Sequence, residues 1–152
     1  MADKTTFKIE GLSELEAALK ELPRATARNV LLRTLKAQAQ PIADAGEALA
    51  PRRSGQLSES YQVSTKLSRS QKKTKKQSDV EVYVGPTSHP KSIQTEFGNV
   101  HQAAHPHLRP AWDGNYRHVL AGITETLRGE VEKARARLAR KAERLAAKMR
   151  AQ

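Results

Sequence analysis

The stretch PAWDGNYRHVLAGITETLRGEVEKARARLARKAERLAAKMR, residues 110–150, decides the fold. Its apolar residues are Trp112, Tyr116, Val119, Leu120, Ile123, Leu127, Val131, Ala134, Leu138, Leu145 and Met149. They recur at steps of three, four and seven, which puts them on one stripe of an α-helix. Pro110 suits the first turn of that helix, where a missing N–H costs nothing. About 40 residues make a rod of roughly 60 Å. A chain of 152 residues that is 38% hydrophobic and 4% aromatic has too thin a core to cover such a rod. The distal half is expected to pack on another subunit, to project or to fray.

Upstream of the rod the pattern is mixed. Phe7 and Ile9 alternate with Lys8 and Glu10, which reads as a short strand ended by Gly11. Ser13 and Glu16 fit a capping box, with Leu12, Leu15, Leu19 and Leu22 at helical spacing and Pro23 as the stop. A second helix is expected from about Ala25 to Ala50, along Leu31, Leu35, Ile42 and Leu49. Pro41 lies inside it and predicts a kink or break near Gln40. After the breaker Ala50–Gly55, two strands are expected at Leu57–Leu67 and Val80–Val84, joined by a long mobile hairpin loop. Gly85-Pro86 closes the second strand. Ile93, Phe97 and Val100 fit a short helix with a turn around Gly98. The fold class is α+β: a small antiparallel sheet packed on helices, with a long C-terminal helix. Residues 1–127 form the α+β body, and residues 128–152 form a basic helical extension.

The net charge of +11 is localised. The loop at about 66–78 holds six Lys/Arg and no acid, among them Lys72, Lys73, Lys75 and Lys76. Residues 128–152 hold nine Lys/Arg against three Glu. Each segment carries +6, so the rest of the chain stands near −1. Such segments attract phosphate or acidic protein surfaces, or are simply solvated.

Many function classes fall away. The chain has no cysteine, which removes disulfide scaffolds, thiolate metal sites and cysteine nucleophiles. No apolar run approaches the roughly 18–20 residues of a membrane span, and no signal core opens the chain, so a soluble protein made in the cytoplasm is expected. His101, His105 and His107 have suggestive spacing, but only Glu96 is near enough in sequence to add a ligand, and zinc takes three or four with a supporting shell. They read as polar loop or interface histidines. No nucleophile elbow and no Gly-rich phosphate loop is present. Neither an enzyme nor a cofactor is expected. The basic loop has no interleaved aromatics for base stacking, so any nucleic-acid contact is sequence-independent.

The order of motifs says more. Phe7-Lys8-Ile9-Glu10-Gly11-Leu12-Ser13-Glu14-Leu15 is followed by Ala18-Leu19-Lys20-Glu21-Leu22-Pro23. Then come Ala48-Leu49-Ala50-Pro51, Ser54-Gly55-Gln56-Leu57, Val82-Tyr83-Val84-Gly85-Pro86, Glu96-Phe97-Gly98 and Pro106-His107-Leu108-Arg109-Pro110-Ala111. In this order, over roughly residues 6–125, the chain resembles the neck and tail-completion (minor tail component) proteins of long-tailed, non-contractile bacteriophages. It departs from them at His107, where the proline-rich motif usually has an aromatic, and in the longer basic extension.

The resemblance implies a structural virion protein that acts in tail completion and head–tail joining. It implies a homo-oligomeric ring at the neck, hexameric by default, beside a tail terminator or tail tube protein and a head-closure or connector protein. The location implied is the virion tail or neck, after synthesis in the bacterial host, with no membrane partner. Lys72, Lys73, Lys75 and Lys76 would then face genomic DNA in the lumen. Arg52, Arg53, Glu96, Phe97 and Arg109 would serve a subunit or partner interface, and Arg109 is also placed to meet a carboxylate. Gly11, Pro51, Gly55, Leu57, Gly85, Gly98, Pro106 and Pro110 would keep the fold. The alternative is a non-specific nucleic-acid-binding protein that uses the basic loop and the C-terminal helix.

Overall fold

The computed structural model describes residues 11–67, 71, 73, 76–87 and 89–150. The strand expected at Phe7–Ile9 lies outside them. Among the described residues, five helices and one two-stranded sheet follow in the order α1 (Leu12–Lys20), α2 (Arg24–Leu49), α3 (Gln56–Glu59), β1 (Tyr61–Ser64), β2 (Tyr83–Pro86), α4 (Ser92–Phe97) and α5 (Leu108–Arg150). The fold is α+β, as the patterning indicates.

The frame is the antiparallel pair α2 and α5. Ile42 packs with Val119 and Ala111, Gln38 Nε2 donates to Thr126 Oγ1 at 2.9 Å, and Arg33 pairs with Glu130 at 2.8 Å. The partner number rises along α5 as the α2 number falls, which fixes the direction. At the far end, Leu15 and Leu22 from α1 and its turn join Val30, Leu127, Val131 and Ala134 in one apolar cluster. At the near end, Ala50, Leu57 and Tyr61 form another, with Leu108 against it. Three small clusters in a row, rather than one broad core, are what a lean composition supports.

Close approach needs small residues at the seams. A Cβ on Gly46 would fall on the Tyr61 ring, so glycine there lets β1 lie on α2. Gly98 holds φ at 75° and ends α4, and a Cβ there would sit 2.8 Å from the Ala104 nitrogen. The sheet pairs Tyr61 with Pro86 and Ser64 with Tyr83.

Several local expectations are corrected. α1 starts at Leu12 behind Gly11, with no side-chain cap, so Ser13 sits inside the first turn and Glu16 pairs with Lys20 at 2.7 Å instead. Of the kink or break expected near Gln40, the break is not formed: α2 continues through Pro41, where Pro41 and Ala37 both face solvent and water can take the carbonyl that proline leaves unpaired. The first strand is shorter than Leu57–Leu67: residues 56–59 coil as α3, which buries Leu57 against Ala50 and Tyr61. The second strand is shifted from Val80–Val84 to Tyr83–Pro86, with Gly85 and Pro86 inside it. Pro110, the third residue of α5, lies in its first turn as expected.

α5 is unbroken from Leu108 to Arg150, about 65 Å. Ala111 faces inward in place of Trp112, which is 52% exposed. The body covers α5 farther than the thin core implies. Among the described residues Leu138 is the last α5 side chain in an apolar cluster with the body, and residues 139–150 are exposed.

Candidate interaction surface

The turn into α5 is organised by one carboxylate. Glu96, buried on α4, accepts the backbone N–H of His107 (2.8 Å), Leu108 (2.9 Å) and Arg109 (3.1 Å). These are the free donors at the start of α5, where the helix dipole also favours an anion. Arg109 Nε donates to the same carboxylate at 3.0 Å, and Nη2 donates to the Glu96 carbonyl at 3.2 Å. The Arg109 guanidinium carbon lies 4.7 Å from the centre of the Phe97 ring. Burial would raise the Glu96 pKa, but the three backbone N–H groups and Arg109 outweigh it and hold the carboxyl at about 2. Arg109 does meet a carboxylate, and that carboxylate lies within the same chain.

Behind this clasp His107 is 1% exposed, which overturns its reading as a polar loop or interface residue. Its ring packs edge-on to Tyr61 at 5.6 Å, and the Tyr61 hydroxyl and Nδ1 share a hydrogen bond. Burial lowers the His107 pKa against the opposing pull of Glu96 and the Ser92 backbone. Burial, then the Glu96 charge, raises that of Tyr61. Burial thus disfavours the charged form of both groups, and the pair packs in the interior. His101 and His105 stay in the exposed loop, and the three histidines do not converge. Among the described residues, no group of three or more His, Asp or Glu is placed to hold a metal ion, and no helix is long and apolar enough to cross a membrane.

In front of the clasp the surface is apolar. Ile93, Phe97 and Val100 are 71%, 63% and 97% exposed. Ile93 and Phe97 border an open cavity of about 630 Å³ between α4 and the sheet, with Tyr83, Val84 and Leu108 on its walls. Exposed apolar side chains in a group, beside a concave wall, form a surface suited to another protein. Glu96 is turned inward, so of the residues expected at an interface Phe97 and Arg109 stand here. Arg52 and Arg53 are exposed on the turn between α2 and α3. Ile93 fits a short helix and Val100 the turn after it, as the pattern indicates, but the exposure of Ile93 on the outer side of a six-residue helix has no signature in the spacing.

Lys72 and Lys75 lie outside the described residues, while Lys73 and Lys76 are exposed. The returning limb of their loop is anchored. Arg24 pairs with Asp79 at 3.2 Å, and Arg28 Nη1 donates to the Asp79 carbonyl at 3.2 Å. Glu81 accepts the Gln77 and Ser78 amides and the Tyr83 hydroxyl. Of the fold-keeping set, Gly11 and Gly55 precede α1 and α3 at φ 83° and 73°, and Leu57 is in the core. Pro51 follows α2, Gly85 lies in β2, and Pro106 and Pro110 are exposed around the start of α5.

No curated protein and no solved structure matches the chain. One protein family does, and its match runs from α1 to the glycine that ends α4, more than half of the chain. With residues 13–98 covered, the chain belongs to the HK97-gp10-like family, described as "Bacteriophage HK97-gp10, putative tail-component".

Proposed function

We propose that this structural tail protein acts in phage tail completion and head–tail joining, as a homo-oligomeric ring at the neck. The observation that carries the reading is the exposed apolar surface of Ile93 and Phe97 beside the cavity, with Val100 exposed in the turn that follows, on a chain with little other core. In a ring each copy would cover that surface with its neighbour, and burial there would supply stability the single chain lacks. Six copies, a tail terminator or tube protein on one side and a head-closure protein on the other complete the assembly. The chain acts through surfaces and catalyses nothing. Lys72, Lys73, Lys75 and Lys76 line the lumen and meet the phosphates of passing DNA. The test is assembly without this chain. Electron microscopy is expected to show filled heads and separate tails, with joining restored by the wild-type chain. Joined, infectious particles without it would refute the reading.

A second reading, sequence-independent nucleic-acid binding, is favoured by the exposed Lys73 and Lys76 and by the cations of residues 137–144. It requires the unassembled chain to bind duplex DNA with a steep loss of affinity in salt.

A further inference from the structure

The free end of α5 combines two features. Beyond Leu138 the helix runs about 18 Å past its last apolar contact with the body among the described residues. Its apolar stripe does not stop there. Leu138, Leu145 and Met149 continue the line of Val131 and Ala134, and Leu145 and Met149 are 54% and 78% exposed. Alongside runs a row of cations, Arg137, Lys141, Arg144 and Lys148, at steps of four, three and four. On a helix they fall within about 60° of arc, centred roughly 90° from the apolar stripe. Among the described residues no acid is paired with Lys141, Arg144 or Lys148. Cations in a last turn are commonly explained by the helix dipole. That covers Lys148 and Arg150, but Arg137, Lys141 and Arg144 lie farther in.

We infer that residues 137–149 are a docking helix for an acidic protein partner, one that presents an amphipathic helix with carboxylates flanking an apolar strip. Phosphate would engage the cations and leave Leu145 and Met149 in water, whereas such a helix engages both rows. A second copy of this segment would set like charges side by side. The segment lies beyond residue 98, where the family match ends, so this contact belongs to the chain's own extension. It does not depend on ring formation.

The test uses the full chain and a designed helical peptide with Leu at a and d and Glu at e and g. The control is a scrambled peptide of equal composition, and binding is read by fluorescence anisotropy. The amphipathic peptide is expected to bind at least about tenfold more tightly than the scramble. Replacing Arg137, Lys141, Arg144 and Lys148 with Gln, or Leu145 and Met149 with Ser, is expected to weaken it about tenfold or more. All six side chains are exposed, so circular dichroism and Tm should not change. Equal binding of the scramble would overturn the inference, as would indifference to the Leu145→Ser, Met149→Ser pair. Tighter binding of duplex DNA that ignores that pair would assign the segment to nucleic acid. Binding of phosphatidylglycerol vesicles in preference to the peptide would assign it to a lipid surface. A concentration-dependent dimer lost on Leu145→Ser would assign it to a second copy. Each of these three would also overturn the inference.

Discussion

The Glu96 carboxylate holds Arg109 twice, accepting its backbone N–H at 3.1 Å and its Nε at 3.0 Å. One contact starts α5 and the other fixes a side chain against Phe97, so a single buried carboxylate joins helix initiation to the shape of the exposed surface. Glu96→Ala is expected to destabilise the chain by about 2–4 kcal/mol, since it leaves several amides unpartnered. Glu96→Gln keeps an acceptor and should cost less. Urea unfolding measures both.

The same carboxylate sets the acid limit of the fold. Its folded pKa of about 2 lies below the ordinary glutamate value of about 4.5. The depressed pKa therefore contributes stability that is fully present above about pH 4.5 and is lost as pH falls through 2. Its size is on the order of 3 kcal/mol. In Glu96→Gln that acid-dependent loss should shrink, as read by denaturant midpoints from pH 5 to pH 2.5.

His107 acts in a different window. Burial lowers its pKa in the fold, so the unfolded chain takes up the proton first as pH falls below 6.5. Stability should decline with acidification from pH 7.5 towards 5. His107→Phe removes that slope and also removes a buried Nε2 that lacks a well-formed hydrogen bond. Because it also leaves the buried Tyr61 hydroxyl without its partner, it is expected to be about 1–3 kcal/mol less stable than the wild type at pH 7.5, with a smaller deficit at pH 5. A wild-type stability that stays flat over this range would count against a buried neutral imidazole.

Gly46 and Tyr61 should be strongly coupled. Gly46→Ala gains helix propensity but drives a methyl into the ring, and a net loss of about 1–3 kcal/mol is expected. With Tyr61→Ala already in place, the same change should be neutral or favourable. A double-mutant cycle by chemical unfolding checks the coupling.

The end of α5 should be dispensable for the fold. Among the described residues Leu138 is the last side chain in an apolar cluster with the body, so a chain ending at Ala139 should keep its midpoint. A chain ending at Val131 loses Ala134 and Leu138 from the α1 cluster and should unfold several degrees lower. Thermal melts of both decide it.

The long helices were legible because their spacing repeats many times. Leu127, Val131, Ala134 and Leu138 mark α5 regardless of context. Features that depend on which side faces water were not. Pro41 breaks a helix in the abstract, but here it sits on the wet face of α2. Leu57 reads as a strand residue until Ala50 and Tyr61 offer it a corner to fill. Glu96 and Arg109 were legible as notable residues, but their mutual contact was not, because it joins two helices across a loop. His107 was hidden for the same reason: only the tertiary fold supplies the Tyr61 hydroxyl that lets it be buried.

The central claim is that the apolar surface around α4 joins copies of this chain. The most direct measurement is the solution mass by light scattering, at low and high salt, of the wild type and of Ile93→Asp with Phe97→Asp. The wild type is expected to form a closed assembly near six copies at both salts. The double variant, whose changes are confined to exposed side chains, is expected to be a folded monomer. A wild type that stays monomeric at every concentration, or an assembly that survives both aspartates, would contradict the account.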